Sequence, residues 1–438
     1  MTETITAEPP RVPLATVLRT FLEIGVLSFG GPAGQIALMH RMLVDDRRWL
    51  DEKRFLDALN MSMLLPGPEA QQLATWCGWR VAGIGGALVA GSLFVLPGAA
   101  MMAVLAYIYA AYGKVDAVEA LFFGIKAGVL AIVIEALIKV GRRALKTPLA
   151  WGIAAAAFLA IFLLRIPYPL IVLAAGVAGW LSARGALPST MPAGTVHDRL
   201  ARRTLGLAAA GAAIWAAPIL VVALTLGPTH VLVTIAAFFS KLAVVTFGGA
   251  YAALAYVAQQ AVQVHGWLAP GEMLDGLGLA ETTPGPLVLV MEFVGFLAGW
   301  RAPAPFGPLT AGLLGAGITI WTTFVPSMLW ILLAAPLVER IGRIPAAAAA
   351  LTGITAAVVG VILNLTVWFA LHVFFRDITE TTLGPLTLDL PRLASADPAA
   401  ILFAAIAAYV LFARHWSIAA TVGLTATLGL AAHGLGLS

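Results

Sequence analysis

Four short breaks interrupt otherwise apolar stretches of this chain, and each could bind an anion. Ser28-Phe29-Gly30-Gly31-Pro32 and Thr246-Phe247-Gly248-Gly249 place two adjacent glycines in helix-forming surroundings. Leu65-Pro66-Gly67-Pro68-Glu69 and Thr283-Pro284-Gly285-Pro286-Leu287 place a glycine between two prolines. Paired glycines interrupt a helix and let other backbone or a ligand come close. A proline ends one helix and suits the first position of the next, so Pro32 and Pro68 read as restart points. A restarted helix presents unpaired backbone N–H groups at the positive end of its dipole, which is an anion site in miniature. Gln71 and Gln72 follow the first Pro-Gly-Pro, and Thr282 and Thr283 precede the second. These are neutral partners suited to oxyanion oxygens. Close helix packing, or an ordinary interfacial turn, would use the same small residues.

Charged residues inside apolar sequence are the second group. Glu23 and Lys241 occupy equivalent places in two similar stretches, with opposite sign. They are expected to approach as a pair, or Lys241 to supply positive potential to a substrate; snorkelling to the nearer interface is the alternative. Lys126 has no charged counterpart (Thr355 aligns with it) and is a candidate anion attractor. Glu69, at a helix start, is favoured by the dipole but repels an anion. Glu23 and Glu69 are therefore the candidate coupling residues. The carboxylates Asp45, Asp46, Asp51 and Glu52 alternate with Arg47, Arg48, Lys53 and Arg54 and read as a solvated face, not as acid–base catalysts. One cysteine, Cys77, excludes an internal disulfide or a dithiol redox centre, and no histidine has a His or Cys three or four residues away. No metal and no cofactor are expected, and no P-loop pattern is present.

Length and composition say what must hold these residues in place. The 438-residue chain is 61% hydrophobic and 11% charged, against about 25% charged in soluble domains. Residues 81–113, 204–240, 302–338 and 344–375 contain no Asp, Glu, Lys or Arg, and about 20 apolar residues span a bilayer. The fold expected is all-α and polytopic, embedded in lipid. The net charge of +4 comes from loops and reads as a topology signal, not a nucleic-acid surface.

Residues 21–68 align without a gap on residues 239–286, with 15 of 48 positions identical, among them both glycines of each pair and each Pro-Gly-Pro. A duplicated hydrophobic chain points to a secondary transporter with its site between the repeats. The basic loop Arg41–Arg54 aligns with Gln259–Glu272, which has no Lys or Arg. The repeats are therefore expected to be inverted, with Arg41–Arg54, Lys139–Lys146 and Arg184–Arg203 in the cytoplasm. Crossings are expected at 86–112, 117–138, 149–164, 168–183, 204–226, 306–334, 346–375, 399–413 and 416–435. Residues 13–40, 55–80, 231–258 and 273–297 should enter and return as broken hairpins. Arg165 then falls outside, against the charge rule. The division is a tail (1–12), a first repeat (13–183), a basic linker with a connecting helix (184–230) and a second repeat (231–438).

In the blocks SFGGPAGQIALMHRMLV, RRWLDEKRFLDALNMSMLLPGPEAQQLATWCGW, TFGGAYAALAYV and GWLAPGEMLDGLGLAETTPGPLVLVMEFVGFLAGW the sequence resembles the long-chain, two-repeat chromate transporter family. The resemblance covers essentially the whole chain. It implies a multi-pass cytoplasmic-membrane protein that exports chromate on the membrane potential or an ion gradient. It also implies the motif positions Gly30, Gly31, Pro32, Gly67, Pro68, Gly248, Gly249 and Gly285 as the substrate region. The partners implied are chromate or a sulfate-like oxyanion and the bilayer, with homodimerisation a possibility. Sulfate import or exchange by the same fold is the nearest rival; a membrane enzyme and a passive channel are the more distant ones.

Overall fold

The computed structural model describes residues 11–29, 31–182, 198–247, 250–335, 345–384 and 386–436. The first repeat begins with α1 (Leu14–Leu27), α2 (Gly31–His40) and α3 (Glu52–Leu64), separated at the glycine pair and the basic loop. Then come α4 (Glu69–Tyr112), α5 (Asp116–Ala144), α6 (Pro148–Leu164) and α7 (Tyr168–Ser182). After the connector α8 (Asp198–Leu226) the series recurs as α9 (Val231–Val245), α10 (Ala250–Ala258), α11 (Pro270–Thr282), α12 (Val290–Arg301) and α13 (Pro308–Ala334). It ends with α14 (Pro345–Phe374), α15 (Pro398–Ala408) and α16 (Ile418–Gly434). Each of the four expected breaks separates two helices. Local chemistry sets many of the boundaries: the Asp51 and Thr147 side chains accept from the N–H groups of Arg54 and Ala150, and Pro148 and Pro398 open α6 and α15.

Among the described residues, five helices are long and apolar enough to cross a membrane: Glu69–Tyr112, Asp116–Ala144, Thr204–Leu226, Pro308–Ala334 and Ala348–Phe374. Helices α6 and α16, of 17 residues each, reach only about 25 Å at ~1.5 Å per residue, so crossing requires local thinning of the bilayer.

The paths of the broken helices follow from contacts far apart in sequence. Arg47 Nη2 lies 3.2 Å from Glu23 Oε2, so the chain beyond α2 has come back beside α1. In the second repeat the His265 and Trp267 rings, stacked 4.3 Å apart, lie against Phe238 in the same way. Helix α4 is itself a hairpin. Its backbone leaves helical angles at Ala82 and Gly83, and its two arms pack with Gly78 on Gly86 and Thr75 beside Gly91. Gly83 has φ 64° and ψ −154°, a region essentially reserved for glycine. Gly83→Ala should cost about 1–3 kcal/mol of stability, read as a lower unfolding temperature in detergent with anion affinity unchanged. An unaltered midpoint would mean that the turn relaxes freely.

The repeats are interlocked. Helix α5 packs on α15 and α16, while α14, its counterpart, packs on α6 and α7. The start of α5 and the end of α14 meet at one cavity, and the end of α5 and the start of α14 meet at another. The two equivalent helices are therefore antiparallel, the relation that an inverted repeat requires. An antiparallel strand pair, β1 (Ile378–Leu383) with β2 (Leu386–Pro391), follows α14. The reading of an all-helical chain did not anticipate it. It explains the misplaced cation: Arg165 Nη2 bonds Asp389 Oδ1 at 2.9 Å and is held by the hairpin. Asp397, at the start of α15, opposes ionisation through burial, but the Arg376 guanidinium and the N–H groups of Ala399 and Ala400 outweigh this and keep its carboxyl below the usual range.

Candidate functional site

The four breaks hold one another in two reciprocal pairs. Gly67 N–H donates to Thr246 O at 3.0 Å, and Gly285 N–H donates to Ser28 O at 2.9 Å. Each Pro-Gly-Pro is thus hydrogen-bonded to the glycine-pair break of the opposite repeat. Both glycines have positive φ, 118° at Gly67 and 92° at Gly285. Gly67 lies against Ser327 of α13, and Gly285 against Gly98 of α4. Pro97 and Pro326 lie inside these same helices, one residue earlier.

Buried amides brace these breaks. Gln35 Nε2 donates to Gly285 O at 2.6 Å, and Gln72 Nε2 to Pro66 O at 2.7 Å. Gln71 Oε1 accepts from Ser327 Oγ at 2.8 Å. Gln71 Nε2, Gln72 Oε1 and Gln35 Oε1 are buried without a partner among the described residues. An unpartnered buried amide costs about 1–3 kcal/mol, so these atoms are suited to a ligand or a water.

A cavity of about 600 Å³ opens from the end of α5 toward the breaks. The first residues of α2 (Gly31, Pro32 and Ala33) and of α10 (Ala250 and Tyr251) line it, as does Glu69 at the start of α4. Three helix N-termini from both repeats therefore face one space, where their free N–H groups and dipoles favour an anion. Lys139, Arg143 and Lys146 bring positive charge; Glu69, Glu135 and Glu281 oppose it. Lys139 Nζ is committed to Glu135 Oε1 at 2.7 Å. On the other side of the molecule, a second cavity of about 780 Å³ is lined by Lys126, His372, Arg376, Asp397 and His433.

The expected site residues divide among these places. Gly31 and Pro32 line the first cavity, with Gly31 at φ 68°. Gln71, Gln72 and Thr283 are buried at the breaks, and Thr282 Oγ1 donates back to Leu279 O at 2.9 Å. Gly67, Pro68 and Gly285 shape the breaks; Gly30, Gly248 and Gly249 lie outside the described residues. The expected pairing of Glu23 with Lys241 does not form: Glu23 meets Arg47, and Lys241 is exposed on α9, with no ion pair among the described residues. Neither does Lys126 stand alone. Its Nζ lies 3.4 Å from Asp275 Oδ2, which also accepts from Tyr109 Oη at 2.8 Å. Lys126 and Glu135 share α5 but face opposite cavities.

Two buried acids with no acidic counterpart in the first repeat escaped the sequence reading, Glu281 and Glu292. The signal was present in the repeat alignment, where Glu281 falls on Met63 and Glu292 on Ala74. An acid found in one copy only is the departure that a search for shared motifs passes over.

The chromate transporter family model matches residues 15–180 and 233–430, one stretch in each repeat. The chain belongs to the chromate transporter family. A chromate transport protein of Pseudomonas aeruginosa is 33% identical over 395 residues, covering 87% of this chain and 86% of that protein. One of Cupriavidus metallidurans is 28% identical over 382 residues, covering 87% and 88%. An uncharacterized transporter of Methanocaldococcus jannaschii is 23% identical over 357 residues, covering 82% and 84%. No solved structure matches the chain. For a chromate transporter, a space faced by broken helices of both repeats is the arrangement in which binding is expected.

Proposed function

We propose that this chromate transporter is a secondary exporter of chromate in the cytoplasmic membrane and so confers chromate resistance. The observation that carries the reading is the cavity into which restarted helices of both repeats open, with Lys139, Arg143 and Lys146 at its mouth. By the positive-inside rule that mouth faces the cytoplasm, where an exporter loads. Polarised N–H groups bind a tetrahedral dianion without a deep salt bridge that would trap it. An inside-negative potential favours outward movement by ~2.3 kcal/mol per charge per 100 mV, so export requires no ATP.

Labelled chromate uptake into inverted membrane vesicles tests this. Energised accumulation, reduced by collapsing the potential, is the expected result. Absence of accumulation would remove the reading, and complete displacement by equimolar sulfate would move the substrate to sulfate. Sulfate is the competitor to include because the two ions have the same shape and charge.

A further inference from the structure

We propose that Glu281 is a proton-binding site coupled to occupancy of the inward cavity, so that proton and oxyanion load together. The proposal rests on the substrate reading above, and its test separates the two. Glu281 is 6% exposed and lines the cavity that the half-helices face. Its Oε1 accepts from the Tyr251 hydroxyl at 2.7 Å, and it has no ion pair among the described residues. An ionised carboxylate held this way is unfavourable, because burial costs far more than one neutral hydrogen bond returns.

No cation among the described residues forms an ion pair with it, and the charged groups around it are these. From α5, Glu135 and Lys139 are bound to each other, and Arg143 lies further along the same helix. From α4 comes Glu69, and Lys146 follows α5. The stretch of α14 at the cavity brings Leu351, Thr352, Thr355 and Ile362, none of them titratable. Of the other helices packed on α11, α12 carries the buried Glu292, and the titratable His433 of α16 lies at the opposite cavity. Tyr109 of α4 and Lys126 of α5 are engaged by Asp275.

Three cations and three carboxylates share the cavity, so its side-chain charges cancel and leave only the helix N-termini to attract a dianion. One proton on Glu281 changes that balance. A proton moves from cavity water to the Glu281 carboxylate as the anion enters and returns to water as the anion leaves. No covalent bond to the anion forms. The location is also distinctive: Glu281 stands two residues before the Thr283–Pro286 break, where Met63 stands in the first repeat. The first repeat thus supplies an apolar side chain at the position where the second supplies an acid.

Purified full-length protein in weakly buffered detergent tests the proposal. Chromate binding to the wild type should withdraw about one proton per anion, and its affinity should fall about tenfold per pH unit on the alkaline side. In Glu281→Gln both effects should vanish. Tyr251→Phe removes a donor to the carboxylate and should move the proton linkage to higher pH, which a merely structural role would not do. Undiminished proton uptake in Glu281→Gln overturns the proposal. Chromate binding to neither protein overturns the substrate reading instead. Infrared difference spectra of the anion-free protein then decide on Glu281. A protonated-carboxyl stretch that titrates in the wild type and is missing in Glu281→Gln supports it; an identical band in both overturns it.

Discussion

Gly67→Val and Gly285→Val should each reduce chromate transport by about a hundredfold or more, the scale of a misplaced binding geometry, with the protein still in the membrane. Two effects combine. A β-branched residue at φ 118° or 92° is strained by roughly 1–3 kcal/mol. The added side chain also has no space: at Gly67 it meets Ser327 and Gln72, and at Gly285 it meets Leu289 and the backbone of Gly98. Moving either loop breaks an N–H bond to the opposite repeat, and a buried orphan adds about 1–3 kcal/mol. Gly31→Ala is the instructive control. Its φ is 68°, yet nothing lies within 4 Å of the position a Cβ would take. Only the left-handed backbone cost of about 1–2 kcal/mol remains, so measurable transport should persist. Labelled uptake into inverted vesicles, normalised to protein in the membrane, makes the comparison. Near-normal transport by both valine variants would show that the breaks are packing devices.

Lys126→Ala should be the most destabilising single change at the second cavity. It leaves Asp275, whose side chain is 3% exposed, with only the Tyr109 hydroxyl. Breaking a fully buried pair costs roughly 3–5 kcal/mol; the loss here is smaller because Lys126 is 27% exposed. Asp275→Asn should cost less, since the freed ammonium reaches cavity water. The double variant Lys126→Ala with Asp275→Asn should recover part of the loss, because no uncompensated charge remains. Thermal unfolding of the four proteins in detergent provides the cycle. Strict additivity would show that the two groups do not interact.

The breaks were legible in the sequence, because glycine pairs and prolines act locally and the duplication marks them twice. So was the inverted relation of the two repeats, through the missing basic residues between Gln259 and Glu272. What was not legible is which charges meet. Glu23 and Lys241 correspond in the alignment, but an equivalent position is a neighbour only near the symmetry axis, and Glu23 finds Arg47 of its own repeat. Lys126 looks unpaired until α11 brings Asp275 beside it from 149 residues away. The β-hairpin was hidden by its position: Ile378–Pro391 is a polar interlude between apolar helices, and its alternation of Thr and Leu is short.

The exchange of helices between repeats also sets a schedule for synthesis. Helix α5 leaves the ribosome early, but the surface it buries against α16 waits for residues 418–434, the last helix of the chain. Helices α6 and α7 wait likewise for α14. Helices α5, α6 and α7 therefore sit in the bilayer for much of translation before their main partners are made, with lipid covering those faces. A stop codon ahead of α16 would strand α5, and membrane quality control would meet a chain that cannot close.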